Sequence, residues 1–252
     1  MTAEKESKRF LNMHKKLEVA VADYNMITEG DHILVALSGG KDSSVMLKLL
    51  ARKKVSTTND YKLSSVFVKT GFEKDVEIEK YLQEYSESLK VPFYSVETPF
   101  SPLTNSKAKK PCYLCSRFRR LAIFDLADKV GSSVVAFGHH RDDFIQTFFL
   151  NIFSSGLLQS IYPVHSFFKG KYKVIRPMLY IDERALSLES KVLKIEAFES
   201  GCPFGAASER AFIKSLLQEI EKRNPDAVKN AFKAICSEKP DLLKPPLKKL
   251  KI

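Results

Sequence analysis

Ile33-Leu-Val-Ala-Leu37 runs directly into Ser38-Gly39-Gly40-Lys41-Asp42-Ser43, and apolar side chains return at Val45, Leu49 and Leu50. A short apolar run followed by helical spacing reads as strand, tight loop and helix. The two glycines let the backbone approach an anion, and the helix N-terminus offers unpaired N–H groups. The loop is a phosphate site on physical grounds. A Gly-Gly turn that only reversed the chain would explain neither the two serines nor the adjacent Lys and Asp. A Walker A loop would need four residues between its first glycine and a Gly-Lys pair, and this loop has none.

Outward from this point the pattern repeats. Leu63–Val68, Phe93–Val96 and Val134–Phe137 are short apolar runs, and helical periodicity covers Asp75–Leu89, Leu114–Val130 and Asp143–Phe153. Such alternation builds βαβ units on a parallel sheet. The expected fold class is α/β, a doubly wound parallel sheet with N- and C-terminal helical additions. Phe10, Met13, Leu17 and Val21 put a helix over Lys8–Ile27. Tyr172–Ile175 adds a strand, and Glu183–Phe198, Glu209–Arg223 and Pro225–Ser237 read as helices. The organisation expected is an N-terminal helix over 1–29, a nucleotide domain over 30–180, a helical segment carrying a cysteine over 181–237, and a basic tail over 238–252. That tail has five Lys, one Asp and three Pro, which favours an extended chain.

At 252 residues the chain suits one catalytic domain with additions. Its 41 Lys and Arg against 30 Asp and Glu give a net charge of +11. Such a balance suits a polyphosphate partner, with nucleic acid first among them. No apolar run approaches the roughly 20 residues that span a bilayer, and the polar start MTAEKESKR is unlike a signal peptide. A cytoplasmic setting follows, in which cysteines serve as ligands or nucleophiles more often than as disulfides.

Gly138-His139-His140-Arg141-Asp142-Asp143 follows the strand Val134–Phe137 and opens a helix, so its side chains gather at the C-terminal edge of the sheet. Asp42, Asp142 and Asp143 are hard oxygen donors suited to Mg²⁺ beside phosphates; a helix-capping role for one aspartate is the competing reading. Cys112 and Cys115 form a Cys-X-X-Cys pair at a helix start, and Cys202 sits in the loop Gly201-Cys202-Pro203. Cys236 shares a helical face with Val228, Phe232 and Ile235, as a core residue does. Tetrahedral zinc would want a fourth ligand. Three cysteines suit a 4Fe-4S cluster with one open iron, although a bare Cys-X-X-Cys also fits a redox dithiol or a zinc knuckle.

SGGKDS resembles the pyrophosphate loop (PP-loop) of the N-type ATP pyrophosphatases, enzymes that split ATP into AMP and pyrophosphate. ADYNMITEGD, PCYLCSRFRR, GHHRDDFIQTFFLN and VIRPM, taken with that loop, resemble the tRNA 2-thiocytidine synthetase family over roughly residues 8 to 237. The resemblance implies that ATP is held at Ser38, Gly39, Gly40, Lys41, Asp42, Ser43, Gly138, His139, His140, Asp142 and Asp143. It further implies a 4Fe-4S cluster on Cys112, Cys115 and Cys202, with these cysteines, Lys41 and Asp42 taking part in catalysis. The implied reaction activates the C2 oxygen of cytidine at tRNA position 32 with ATP and replaces that oxygen by sulfur. Two places depart from the family pattern: CPFG stands where a second Cys-X-X-Cys is usual, and VKTGFEK replaces an acidic strand-end motif.

Lys107, Lys109, Lys110, Arg117, Arg119 and Arg120 fall in a stretch without an acid, beside the cysteine pair, and read as tRNA phosphate contacts. A solvated helix face is the plainer alternative. The resemblance also implies a sulfur donor such as a cysteine desulfurase; the oligomeric state, a homodimer included, stays open. Competing functions are a related enzyme that adenylates another tRNA base and a noncatalytic RNA-binding protein in which the cysteines hold zinc.

Overall fold

The computed structural model describes residues 6–56, 60–101, 111–198, 202 and 209–236. Six strands form one sheet in the order β3-β2-β1-β4-β6-β5. They are β1 (His32–Leu37), β2 (Lys62–Lys69), β3 (Phe93–Glu97), β4 (Val134–Phe137), β5 (Val164–Phe167) and β6 (Tyr172–Ile175). All pairings are parallel except β5 against β6. The central strand β1 is buried on both faces, hence its unbroken apolar run.

Helices cover both faces. α4 (Pro111–Val130) lies against β2, β3 and β4, closing a core of Leu34, Ala36, Val66, Val68, Val135 and Val174 with Ile123, Phe124 and Ala127. α2 (Lys41–Ser56) packs on the sheet and on α1 (Lys8–Asp23) and α6 (Glu183–Val192), while α3 (Asp75–Ser88) covers β2 and β3. The remaining helices are α5 (Arg141–Ser155), α7 (Glu209–Arg223) and α8 (Ala227–Cys236). Two compact units result. One holds the described residues of Met1–Asp143 and Tyr162–Ala207, the other those of Phe144–Ile161 and Ser208–Ile252.

Two helices stop short of their expected ends. α1 stops at Asp23 instead of Ile27 and α6 at Val192 instead of Phe198. Each closes with a left-handed residue, Asn25 (φ 46°) and Lys194 (φ 52°), and with a bond from the next N–H five residues back. Met26 N–H reaches the Val21 carbonyl at 2.9 Å and Ile195 N–H that of Ser190 at 2.9 Å. This is the Schellman closure, with Asn and Lys where glycine is usual. Cys236 departs from expectation too: it is exposed, because Val228 alone of its supposed face is buried on α8.

Candidate active site

Because the parallel strands share one direction, the loops after β1, β2, β4 and β6 open at the same edge of the sheet. In the loop after β1, Gly39 adopts φ +78°, and a Cβ there would stand 2.8 Å from Ile78 Cγ2. Glycine is required on both counts. Ser38 N–H donates to Ser43 Oγ at 3.1 Å, and Ser43 Oγ donates to the Gly40 carbonyl at 3.0 Å. The serines therefore brace the loop from within, with α2 beginning at Lys41.

The loop after β4 locks onto this one. A Cβ on Gly138 would meet Ser43 Cα at 3.1 Å, so the two backbones touch. His140, only 5% exposed, stands among three aspartates. Its Nε2 is 3.4 Å from Asp143 and 3.9 Å from Asp42, and its Nδ1 is 3.6 Å from Asp142. Burial alone would lower the His140 pKa; the carboxylates of Asp142, Asp143 and Asp42 around it outweigh that and raise the pKa. Burial pushes the Asp42 carboxyl upward, with His140 and Lys41 offsetting part of that rise. For Asp142 burial is outweighed by His140, the Glu183 N–H and Arg141, and its pKa falls.

The three aspartates do different work. Asp143 accepts the His140 N–H at 2.9 Å, the reach-back bond of a capping box at the start of α5. Asp142 accepts the Glu183 N–H at 2.8 Å and so ties this loop to the start of α6. Asp42 Oδ2 accepts from Lys41 Nζ at 3.3 Å, and its buried Oδ1, ion-paired with the same ammonium at 3.3 Å, has no hydrogen-bond partner. Of the three, Asp42 has the oxygen left for a cation. His139 is half-buried beside the Phe137 ring, centroids 6.0 Å apart.

The cysteines occupy the same compact unit as these loops. Cys112 is exposed and Cys115 half-buried on the first turns of α4, and Cys202 is half-buried. Burial raises the Cys115 pKa; Arg119 opposes this, while Cys202 and Cys112 add to it, so all three thiols share one electrostatic neighbourhood. They are not drawn into a closed ligand set: among the described residues no three His, Cys, Asp or Glu side chains stand together as a metal site. The donor chemistry, soft thiols free of disulfides, fits an iron–sulfur cluster. Arg117 is exposed, and Arg119 and Arg120 are half-buried. Lys107, Lys109 and Lys110 lie outside the described residues.

Sequence reasoning missed what joins the sites. The Phe198 N–H donates to the Gly39 carbonyl at 3.0 Å, inside the phosphate loop. Tyr81 packs on Phe198, centroids 5.2 Å apart, and its hydroxyl accepts the Glu196 N–H at 3.0 Å. Asp75 was missed as well. Its Oδ2 accepts the N–H groups of Thr70, Gly71 and Phe72 at 2.6, 2.8 and 3.2 Å, and so sets the VKTGFEK loop after β2. Asp at the head of a helix was the available signal for it. Nothing in the sequence marks the Phe198 contact, because its partner is a backbone carbonyl.

A phosphate cradle between β1 and α2, clasped by a second loop bearing a His–Asp cluster, defines an α/β nucleotide-binding protein of the PP-loop kind. The PP-loop domain family matches residues 7–219. A tRNA-cytidine(32) 2-sulfurtransferase of Burkholderia multivorans is 34% identical over 252 residues, covering 96% of this chain and 73% of its own length. A protein of the same name from Nitrosospira multiformis is 32% identical over 254 residues, covering 96% of this chain and 84% of its own. The chain therefore belongs to the PP-loop domain family and, within it, to the family of the tRNA-cytidine(32) 2-sulfurtransferases. The fold is also that of the U34-tRNA thiolase from Methanococcus maripaludis, solved with its 4Fe-4S cluster. That match has TM-score 0.76 and 21% identity, and it covers 90% of this chain and 77% of the other.

Proposed function

We propose that this chain is an ATP-dependent tRNA thiolase that exchanges the C2 oxygen of cytidine 32 for sulfur. The observation that carries the reading is the Phe198–Gly39 hydrogen bond, which fastens the segment leading to Cys202 onto the nucleotide loop. The names of the relatives supply the base and its position.

In the first step the C2 oxygen attacks the α-phosphorus of ATP, and the bond from that phosphorus to the bridging oxygen of pyrophosphate breaks. The α2 N-terminus and Lys41 hold the negative charge that builds on the departing pyrophosphate. Asp42, whose buried Oδ1 takes no hydrogen bond, is the residue that would hold Mg²⁺ there. His140 keeps Asp42, Asp142 and Asp143 in one cluster, and Asp142 carries that order to α6. In the second step a hydrosulfide attacks C2, and the C2–O bond breaks to release AMP; a donor such as a cysteine desulfurase would supply that sulfur as a persulfide, from which a thiol reductant frees the hydrosulfide. Cys112, Cys115 and Cys202 would hold a 4Fe-4S cluster, whose chemistry when bound is one iron without a protein ligand, able to bind sulfur. Lys107, Lys109, Lys110, Arg117, Arg119 and Arg120 would meet tRNA phosphates beside these thiols. Among the described residues no helix is long and apolar enough to cross a membrane.

The test is tRNA-dependent pyrophosphate release together with iron and sulfide content after anaerobic purification. Wild-type protein should show both, and Asp42→Asn should lose pyrophosphate release while keeping its iron. Stoichiometric zinc without iron, or pyrophosphate release indifferent to tRNA, would overturn the reading.

A further inference from the structure

On β6 the side chains of Tyr172 and Val174 enter the core beneath α4, so Arg176, next in that alternation, emerges on the same face at the C-terminal edge of the sheet. Arg120 lies on α4 one turn before Phe124, whose ring stacks on Tyr172 at 5.0 Å. Both arginines thus lie toward the end of the core at which α4 begins and β6 stops. Burial, and then the charge of Arg120, bring the Arg176 pKa down to about 10. The two cations therefore oppose each other, and among the described residues no carboxylate is paired with either.

A guanidinium offers five N–H donors. Arg176 gives Nη1 to the Tyr162 carbonyl at 2.6 Å, and its buried Nε has no partner. Arg120 gives Nε to the Ser116 carbonyl of its own helix at 3.2 Å. If Arg176 only tethered the Tyr162 carbonyl, a neutral amide would do so without placing a second cation beside Arg120. A largely buried cation with a second one nearby, and with donors to spare, is complementary to an oxyanion, which takes forked hydrogen bonds from arginine. The pair lies near the thiols along α4, since Arg120 follows Cys115 by five residues on that helix, a rise of about 7.5 Å.

We propose that Arg176 and Arg120 together form a phosphodiester site that seats one backbone phosphate of the RNA substrate beside the cysteines. This rests on the thiolase reading for the identity of the RNA. The same chemistry would accept a phosphate of ATP, and the experiment separates these sources.

Binding of full-length tRNA to the purified holoenzyme would be measured across a potassium chloride series for wild type, Arg176→Gln, Arg120→Gln, the double variant and Arg176→Lys. ATP affinity would be measured alongside. Each phosphate contact contributes roughly 0.7–0.9 to the slope of log K against log salt. Each Gln variant should lose about that much, and the double variant no more than either single one, because both arginines serve one phosphate. Arg176→Lys should recover most of the slope, and ATP affinity should not move. Thermal midpoints at or above wild type in the Gln variants would show that the fold survives removal of an uncompensated cation; should Arg176→Gln not fold, Arg120→Gln carries the same comparison. Unchanged slopes in variants of a tRNA-binding wild type would overturn this site alone, as would a fall in ATP affinity with the slope intact. A wild type that does not bind tRNA would overturn both this site and the thiolase reading.

Discussion

Gly138→Ala tests whether the two nucleotide loops are registered by direct backbone contact. The added Cβ would stand 3.1 Å from Ser43 Cα and 3.2 Å from Ser43 N, with Asp42 C at 3.5 Å. These are backbone atoms of the first turn of α2, so no side chain can swing aside, and the loops must part by a few tenths of an ångström. Overpacking of this kind costs about 1–3 kcal/mol, and the low end is expected because the contact lies at a site open to ligand. Displacing the Ser43 N–H also disturbs the phosphate cradle. Since about 1 Å of misplacement can cost on the order of a hundredfold in rate, a shift of a few tenths should cost roughly tenfold in tRNA-dependent pyrophosphate release. Gly131→Ala is the control: at φ +69° with open space around it, it should lose about 1 kcal/mol to left-handed strain with ATP turnover unchanged. Denaturant midpoints and pyrophosphate release would be measured on all three proteins. If Gly138→Ala matches wild type in both, the loops are not held by this contact.

Two further outcomes are expected. Burial holds the His14 pKa below 6.5, with Arg52 Nη1 3.0 Å from its Nδ1; the unfolded chain then binds the extra proton, so wild-type stability should fall as pH drops from 6.5 through the lower folded value. His14→Asn should flatten that part of a pH series of denaturant midpoints, and an unaltered slope would refute it. Cys236→Ser, exposed on α8, should retain wild-type iron and sulfide, whereas Cys112→Ala, Cys115→Ala and Cys202→Ala should each lose them; iron loss in Cys236→Ser alone would move the third ligand to α8.

The strands that carry the site were legible because burial on both faces of a parallel sheet forces continuous apolar runs, as in Ile33–Leu37 and Val134–Phe137. The antiparallel edge strand β5 was not. His165 and Ser166 in it are exposed, so it shows neither an apolar run nor alternation. Helix ends were misplaced where Asn25 and Lys194 take the conformation that glycine usually signals, whereas Gly131, closing α4, was a readable stop. The phosphate loop and the His–Asp loop could be read from residue types. The division of labour among Asp42, Asp142 and Asp143 could not, because it depends on which backbone N–H each carboxylate meets. Arg176 was visible only as part of VIRPM, since its isolation becomes apparent only when Arg120 arrives from another element.

The Phe198–Gly39 bond also makes the chain itself a ruler. Cys202 follows Phe198 by four residues, and four residues of polypeptide extend at most about 14 Å. Whatever path those residues take, the Cys202 Cα is leashed within that radius of the Phe198 Cα, whose residue the phosphate loop holds. An insertion or deletion between positions 198 and 202 would reset the leash without touching any side chain of either site, so this short stretch should tolerate changes of residue type far better than changes of length.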